Sequence, residues 1–409
     1  MRSSWSLVVV FAAAALTTFV LTPVAIGIAR RLGAVVPPGD RRVHTEPTPT
    51  LGGIAMFGGL GAGLAAAGMR SSFDEIFASR TTILGIVGAA AVMWISGLVD
   101  DLREVSAPAK LAAMVLAGSV LVMSGTQIIN VPIPFVGFTV LAPDLAVVVS
   151  ILWVAVMANA TNLIDGLDGL AAGIIAIAAG AFLLYSMKLD DAGAMEATNV
   201  GPLVALIVVG ICVGFLPWNF HPAKVFMGDS GALLLGLLMA ASTIAVGGQS
   251  DNSFTGQSWF FFAPLVLPIV ILGVPLFDMA FAILRRTTRR TGFATADKDH
   301  LHHRLLRLGH GHRQAVLILW AFTGLLSLFA LVPVLTRRGT GLWPIGVAAV
   351  ALLLFTMLRP RVQRRDGLSV RRGDDPEVDL SSRSTDGDPW YESPHRLSGK
   401  NSQNEGRGV

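Results

Sequence analysis

One apolar segment of the chain carries polar side chains at every third position. Asn159, Asn162, Asp165 and Asp168 follow one another at this spacing. Residues three apart lie within one helical turn of each other. Carboxylates and amides at the end of a membrane-spanning helix are costly and usually functional. A helix cap would explain Asn162 or Asp165 alone, but it would not explain the whole series.

A second acidic group stands at the end of the third apolar stretch. Asp100 and Asp101 are adjacent there, and Lys110 follows in the first turns of the next predicted helix. Adjacent carboxylates repel each other, so a pair kept together at a membrane interface often serves a metal ion or a proton transfer. The alternative is a plain acidic loop that joins two spans.

A third motif joins the seventh and eighth apolar stretches. Asp229 and Ser230 stand at the predicted start of a helix, where free backbone N–H groups favour anions. Lys224 adds positive charge, Phe226 could stack on a nucleobase, and Asn219 lies earlier in the same segment. The alternative is that Asp229 or Ser230 only caps the helix.

A basic, histidine-rich motif occupies residues 297–310. Leu301, Leu305 and Leu308 have helical spacing, which predicts a short amphipathic helix in the membrane interface. Its polar side chains suit a pyrophosphate or a lipid phosphate, and they are His300, His302, His303 and Arg304. A zinc site and a helix that only touches anionic lipid are the alternatives.

Composition places most of the chain in a lipid bilayer. Hydrophobic residues make up 53% of the sequence and charged residues 14%, whereas a soluble domain carries about 25% charged residues. Apolar stretches long enough to cross about 30 Å of lipid as a helix recur along the chain. We therefore expect an all-α polytopic membrane protein with about 11 transmembrane helices, at roughly 5–28, 51–69, 82–99, 108–124, 144–161, 168–187, 200–217, 230–248, 260–284, 315–335 and 342–358.

Two segments depart from this pattern. Residues 128–141 contain two prolines and alternate in polarity, which predicts a hairpin at the membrane surface. Residues 359–409 are rich in Arg, Asp, Ser, Gly and Pro, which predicts a disordered tail. The expected domains are a transmembrane domain over 1–358, which carries the polar motifs, and a cytoplasmic tail over 359–409.

Positive charge predicts the orientation in the membrane. One set of alternate loops up to Arg313 holds fifteen Lys and Arg residues, whereas the other set holds five. The positive-inside rule makes the richer set cytoplasmic, with the N-terminus outside and the C-terminus inside. The loop 39–53, which includes His44, gives a weaker functional signal because its basic residues could act in topology alone.

The predicted topology brings all of these motifs to one face of the membrane. A transporter, the competing class, places ionisable groups near the bilayer midplane. A carboxylate cluster at the cytoplasmic interface instead suits a water-soluble metal–nucleotide substrate that meets a lipid-borne one.

The motifs resemble those of the polyprenyl-phosphate N-acetylhexosamine-1-phosphate transferases, the superfamily of WecA and MraY. The resemblance covers residues from about 25 to 358. It rests on Asp100-Asp101, on the run from Asn162 to Gly169, on the run from Phe226 to Gly231, and on His300-x-His302-His303. The histidine pattern is similar to the WecA branch, which uses UDP-N-acetylglucosamine. Ala232 is a departure, since several relatives carry Ser there.

The resemblance implies a reaction, a cofactor and a location. Acceptors would be decaprenyl or undecaprenyl phosphate, and the products would be polyprenyl-pyrophosphoryl-N-acetylglucosamine and UMP, the first lipid-linked step of a cell-wall or surface glycan. The cofactor would be Mg²⁺, for which Mn²⁺ could substitute. The enzyme would lie in the plasma membrane of a bacterium. It would bind no nucleic acid, and a homodimer is an open alternative to a monomer. UDP-muramoyl-pentapeptide or another UDP-N-acetylhexosamine is the alternative donor.

Roles for the candidate residues follow from the resemblance and from the chemistry of phosphoryl transfer. Asp229 would hold Mg²⁺, helped by Asn162 or Asp101, and Asp100 would act as a base or orient the lipid phosphate. His302, His303 and Arg304 would bind the pyrophosphate. The nucleoside and sugar side would be formed by Asp165, Asp168, Asn219 and Phe226. Asp101, Asp168, His302 and His303 are also placed with the catalytic candidates, and His44, Lys110 and His300 with the substrate-binding ones.

Overall fold

The computed structural model describes residues 3–36, 47–133, 137–193, 195–248 and 308–336, with isolated positions at 269–306 and 344–351. The described part is mostly helical. Its α-helices are α1 (Ser4–Leu32), α2 (Gly53–Gly68), α3 (Asp74–Ala78), α4 (Arg80–Leu102), α5 (Ala107–Met123), α6 (Pro143–Ile164), α7 (Leu170–Asp191), α8 (Gly201–Asn219), α9 (Gly228–Gly247) and α10 (His312–Thr336). Four short strands accompany them, β1 (Val35–Val36), β2 (Thr48–Pro49), β3 (Asn130–Ile133) and β4 (Gly137–Val140).

Seven of the described helices are long and apolar enough to cross a membrane: α1, α4, α6, α7, α8, α9 and α10. Helices α2 and α5 are apolar but shorter. Nine of the eleven predicted spans coincide with these nine helices, which confirms a polytopic helical membrane protein. The predicted spans 260–284 and 342–358 lie almost wholly outside the described residues, as does the predicted tail 359–409. The number eleven and the orientation of the termini stay predictions.

The predicted hairpin is confirmed. Strands β3 and β4 pair antiparallel, with Asn130 opposite Val140 and Ile133 opposite Gly137. A second antiparallel pair, β1 with β2, was not predicted. Strands of two residues are too short to show the alternation by which a strand is recognised in sequence. The all-α description therefore needs these two small sheets added to it.

Helix α9 forms the centre of the bundle. It packs against α4, α6, α8 and α2, and every residue from Ser230 to Gly247 is buried. A helix buried on all sides must be largely apolar all round. The polar residues of α9 are Asp229 and Ser230 in its first turn, and Ser242 and Thr243 near its end, whose hydroxyls donate to backbone carbonyls. The polar start of α9 is therefore fixed at one end of the bundle.

Small residues let the neighbouring helices reach the start of α9. A side chain at Gly97 of α4 would collide with the backbone of Asp229 and Ser230. A side chain at Gly53 of α2 would collide with Ser230 and Gly231. Close helix contacts of this kind rely on glycine, because no Cβ keeps the backbones apart. Helices α2 and α4 thus both converge on the N-terminus of α9.

Hydrogen bonds divide the loops between the two ends of the bundle. At the α9 N-terminus, the Gly52 N–H donates to the Phe226 carbonyl at 3.0 Å. At the α9 C-terminus, the Ile129 N–H donates to the Gly248 carbonyl at 2.8 Å, and the Asn199 amide donates to the Ala245 carbonyl at 2.6 Å. The hairpin therefore lies at the end opposite the polar motifs.

Replacement of Gly97 by alanine tests the close approach of α4 to α9. Alanine favours a helix by about 1 kcal/mol over glycine, but overpacking against a fixed backbone costs about 1–3 kcal/mol. We expect Gly97→Ala to lower the midpoint of thermal unfolding in detergent. The control is Gly61→Ala in α2, where the new methyl group meets nothing within 4 Å and should leave the midpoint unchanged or raise it. Equal stabilisation by both changes would contradict the packing described here.

Candidate active site

Polar residues from three separate connections, and from the helix turns next to them, meet at the N-terminal end of α9. These connections are the turn between α4 and α5, the turn between α6 and α7, and the loop between α8 and α9. Each follows or precedes a long apolar helix, so the helices fix where the polar side chains can lie. Specific hydrogen bonds and ion pairs then join the three connections.

Lys110 bridges two carboxylates from different helices. Its Nζ lies 2.6 Å from Asp100 Oδ2 and 2.6 Å from Asp229 Oδ2. The three side chains are only 15–25% exposed, so water screens the ion pairs less than at an open surface. Asp100 also accepts a hydrogen bond from the Val105 N–H at 2.8 Å, which closes the turn after α4. Helices α4, α5 and α9 are thereby joined through one ammonium group.

Asp101 caps α9 from a neighbouring helix. Its carboxylate accepts hydrogen bonds from the Asp229 N–H at 2.8 Å, the Ser230 N–H at 3.1 Å and the Ser230 hydroxyl at 2.6 Å. A carboxylate at a helix N-terminus satisfies free N–H groups and favours the helix dipole. The sequence had suggested Asp229 or Ser230 as the cap, and it had placed Asp101 with the metal ligands. Both Asp101 oxygens accept hydrogen bonds from the protein. The metal-binding role expected for Asp101 stays a prediction.

Glycine is required where the chain turns into α9. Gly228 has a φ of +68°, and a side chain there would collide with the Thr50 carbonyl and both carboxylate oxygens of Asp101. Only glycine adopts this backbone region at little cost. The residue therefore allows Asp101 to approach the helix start.

Asn162 and Asp165 bring the turn after α6 to the same place. The Asn162 amide nitrogen lies 3.4 Å from Asp229 Oδ2. Burial, followed by repulsion from Asp229, Asp101 and Asp168, raises the pKa of Asp165 to about 8. Within the part of the chain that the structure describes, no hydrogen bond or ion pair compensates the Asp165 carboxylate. A cation would relieve this repulsion and favour the ionised form of Asp165.

Asp168 and Asn219 fasten the loop before α9 to the turn after α6. Asp168 Oδ2 accepts hydrogen bonds from His221 Nδ1 at 2.7 Å and from the Ala223 N–H at 3.1 Å. Asn219 accepts from the Gly169 N–H at 3.0 Å and donates to the Val225 carbonyl at 2.9 Å. Because Asp168 and Asn219 are 4% and 1% exposed, both side chains act mainly inside the protein.

The predicted site residues fall into two groups. The structure brings together Asp100, Asp101, Lys110, Asn162, Asp165, Asp168, Asn219, Phe226 and Asp229 at one end of the bundle. The Phe226 N–H donates to the Pro49 carbonyl at 2.8 Å, and its side chain is half-buried. Five predicted residues lie outside the described residues: His44, His300, His302, His303 and Arg304. Their roles stay predictions.

The sequence does not predict the partners of two residues of the site, Ser230 and His221. Ser230 donates to Asp101, and His221 bonds Asp168. Each contact joins segments that lie far apart in the chain, and neither leaves a spacing signal. His221 stood inside a recognised motif, but a single histidine beside a proline predicts no particular partner.

The residues present fit a cation that is shared with a substrate. In the described ranges, no group of three or more His, Cys, Asp or Glu side chains is arranged to hold a metal ion by itself. Mg²⁺ does not need such a group, because it usually takes one or two carboxylates together with substrate phosphates and water. Asp229 and the uncompensated Asp165 offer such carboxylates next to the Asn162 amide.

Comparison with known proteins assigns this site to a class. A family model described as glycosyl transferase family 4 matches residues 83–247, which include every described residue of the site. Decaprenyl-phosphate N-acetylglucosaminephosphotransferase of Mycolicibacterium smegmatis is 36% identical over 352 residues, 84% of this chain and 87% of the relative. A probable undecaprenyl-phosphate N-acetylglucosaminyl 1-phosphate transferase of Bacillus subtilis is 34% identical over 326 residues, 80% and 84% of the two chains.

A relative with a different name shows similarity as well. Phospho-N-acetylmuramoyl-pentapeptide-transferase of Desulforudis audaxviator is 32% identical over 341 residues, 77% of this chain and 94% of the relative. The site and these comparisons define a membrane-embedded transferase. The chain belongs to glycosyl transferase family 4, among the relatives of the polyprenyl-phosphate N-acetylglucosamine phosphotransferases. The family resemblance predicted from the sequence is confirmed.

Replacement of Asp101 by asparagine separates a capping role from a metal-binding one. An amide oxygen can accept fewer of the three hydrogen bonds, so we expect Asp101→Asn to lower thermal stability by about 1–2 kcal/mol. Ser230→Ala removes one of the same bonds and should act in the same direction. Asp191→Asn, an exposed carboxylate at the other end of α7, is the control. Unchanged stability in Asp101→Asn, with activity restored by excess Mg²⁺, would instead indicate a metal ligand.

Proposed function

We propose that the protein transfers N-acetylglucosamine 1-phosphate from UDP-N-acetylglucosamine to a polyprenyl phosphate, and that it releases UMP. The observation that carries the proposal is the cluster of Asp100, Lys110, Asn162, Asp165 and Asp229 at one end of an apolar bundle. A site at the end of such helices is open to a water-soluble nucleotide and close to a lipid headgroup.

The reaction needs positioning and charge neutralisation more than it needs acid–base chemistry. An oxygen of the lipid phosphate attacks the sugar-proximal phosphorus of the donor, and the bond from that phosphorus to UMP breaks. A phosphate monoester has a second pKa of about 6, so the acceptor is mostly ionised at pH 7. Asp100 is therefore proposed to hold Lys110 and orient the acceptor, with proton removal as a secondary role.

The charge of the site supports a divalent cation. The site holds four carboxylates, Asp100, Asp101, Asp165 and Asp229, and Lys110, whose ammonium group pairs with Asp100 and Asp229 alone. Two phosphorylated substrates could approach such a site only if further positive charge were added. Bound Mg²⁺ would supply that charge, held by Asp229 and Asp165 with help from Asn162. Asp101 would fix the backbone of Asp229 and so keep its carboxylate in place.

The donor is proposed from the relatives and from the histidine pattern. Relatives named for N-acetylglucosamine are 34–39% identical to this chain, whereas those named for the muramoyl-pentapeptide are 32% identical or less among the proteins compared. His300-x-His302-His303 supports the same choice. UDP-muramoyl-pentapeptide is kept as the second candidate because of the similarity to the Desulforudis protein over most of its length.

A release assay tests the proposal directly. Purified protein would be supplied with decaprenyl or undecaprenyl phosphate, Mg²⁺ and one of a panel of UDP-sugars, and UMP would be measured. We expect UMP from UDP-N-acetylglucosamine and from no other donor at comparable rate. Preference for UDP-muramoyl-pentapeptide would move the protein to the peptidoglycan branch, and no UMP from any donor would refute the transferase.

Removal of one carboxylate tests the cation site. We expect Asp229→Asn to lower turnover by about two orders of magnitude or more, since an amide is a weaker Mg²⁺ ligand and carries no charge. Asp144→Asn, an exposed acidic residue in the first turn of α6, is the matched control. Near-normal turnover in Asp229→Asn at saturating Mg²⁺ would contradict the assignment.

Metal exchange tests the cofactor independently. After treatment with EDTA, Mg²⁺ or Mn²⁺ should restore the turnover of the wild-type protein, because hard oxygen ligands suit these ions. Zn²⁺ should not. Restoration by Zn²⁺ alone would mean that the histidine-rich motif binds the catalytic metal.

The site is proposed to face the cytoplasm of a bacterium. Among described residues, the end of the bundle that holds the site carries Arg30, Arg31, Arg103, Lys110, Lys224 and Arg313, whereas the opposite end carries Arg70, Arg80 and Lys188. The positive-inside rule supports this orientation, and cytosolic UDP-sugars require it.

Single cysteines test the orientation in intact cells. Glu104→Cys lies at the site end and Ala197→Cys at the opposite end, and both positions are exposed. The native Cys212 is buried and provides a low background. We expect an impermeant thiol reagent to label Ala197→Cys and to spare Glu104→Cys until the membrane is opened. The reverse pattern would invert the orientation.

A further inference from the structure

His221 is a histidine of the site to which the proposed reaction assigns no role. Its Nδ1 lies 2.7 Å from Asp168 Oδ2. Its ring stacks on His312, with centroids 5.5 Å apart and planes inclined by 18°. The Arg313 Nε donates to the His221 carbonyl at 3.1 Å. Both the ring and the backbone of His221 are thus held in one orientation.

The hydrogen bond to Asp168 determines which ring nitrogen of His221 is available to a ligand. A carboxylate can only accept hydrogen bonds, and Asp168 Oδ2 also accepts from the Ala223 N–H. Nδ1 of His221 therefore carries a proton, and in the tautomer with that single proton Nε2 has a lone pair that can accept a hydrogen bond. No hydrogen bond from another described residue reaches Nε2, and the side chain is 24% exposed.

His221 stands at the edge of the same carboxylate group that holds Asp229. Its partner Asp168 lies three residues after Asp165 in the short turn between α6 and α7. Asn219, two residues before His221, already uses its amide in protein hydrogen bonds. A donor whose diphosphate lies at Asp165 and Asp229 carries a nucleoside on one side and a sugar on the other, and one of these two groups is taken to occupy this edge. There, His221 Nε2 offers an acceptor that the protein itself does not use.

We propose that His221, oriented by Asp168, contacts the nucleotide-sugar, and that its Nε2 accepts a hydrogen bond from an O–H or N–H group of that donor. The inference rests on the proposed function, because it takes a UDP-sugar as the ligand. Suitable groups are the ribose hydroxyls, the uracil imide and the sugar hydroxyls. The acceptor phosphate is already ionised, so it carries no proton for His221 to remove. The contribution of His221 is therefore to donor binding.

Two substitutions separate the ring nitrogens. In His221→Asn, the amide nitrogen can replace Nδ1 and keep the bond to Asp168, but nothing replaces Nε2. In His221→Gln, the longer side chain can place an amide near the position of Nε2, but the bond to Asp168 is lost. The loss of one substrate hydrogen bond corresponds to roughly a tenfold change in affinity.

The closing experiment measures kinetics, thermal stability and binding of the full-length protein. We expect His221→Asn to raise KM for UDP-N-acetylglucosamine roughly tenfold, with little change in kcat or thermal midpoint. His221→Gln should raise KM less and lower the midpoint more. Wild-type kinetics in His221→Asn together with a destabilised His221→Gln would show a purely structural histidine, and would overturn the proposal.

Binding of UMP and of UDP-N-acetylglucosamine by calorimetry identifies the group that is contacted. Equal weakening of both ligands by His221→Asn places the contact on the nucleoside, whereas weakening of UDP-N-acetylglucosamine alone places it on the sugar. Both results support the proposal, and unchanged binding of both ligands overturns it.

The binding measurement needs no turnover, so it also separates this proposal from the proposed function. A wild type that binds the donor but releases no UMP refutes the proposed function, while the ratio between variants still decides the role of His221. A wild type that does not bind the donor refutes both.

Discussion

A helix that is packed against other helices on all sides must have the free N–H groups at its start satisfied by the protein, because the packed neighbours exclude water from them. In α9, the Asp101 carboxylate of α4 satisfies these groups, since it accepts hydrogen bonds from the N–H groups of Asp229 and Ser230 and from the Ser230 hydroxyl. The approach is possible because the neighbouring backbone positions, Gly97 and Gly228, carry no side chain. A structural requirement of the bundle therefore brings a carboxylate pair to the centre of the site.

The arrangement of charge follows from this cap. With Asp101 committed to α9, Asp100 and Asp229 share Lys110. Asp165 is left among like charges, and its pKa rises to about 8. The site thus holds more carboxylate than the protein alone can compensate. Such an excess is costly to folding and suits a function that brings in a cation with phosphorylated substrates.

Sequence reasoning recovered what depends on local patterns. Hydropathy predicted the nine described helices that could lie in the membrane, and the prolines and alternation of 128–141 predicted the hairpin. The three-residue spacing of polar side chains drew attention to Asn162, Asp165 and Asp168, which lie at the same end of the bundle; their roles stay predictions. What it missed depends on contacts between distant segments. The cap formed by Asp101 and the pairing of Asp168 with His221 arise only when α4, α6 and the loop before α9 are packed together.

The central claim is that Lys110 holds Asp100 and Asp229 together as one electrostatic unit, and a double-mutant cycle on thermal unfolding tests it most directly. Lys110→Met leaves two carboxylates facing each other without a cation. Asp100→Asn removes one of those charges and retains an oxygen that can accept from the Val105 N–H. The account predicts that Lys110→Met lowers the thermal midpoint and that adding Asp100→Asn recovers part of the loss. A double variant whose loss equals the sum of the two single losses would contradict it.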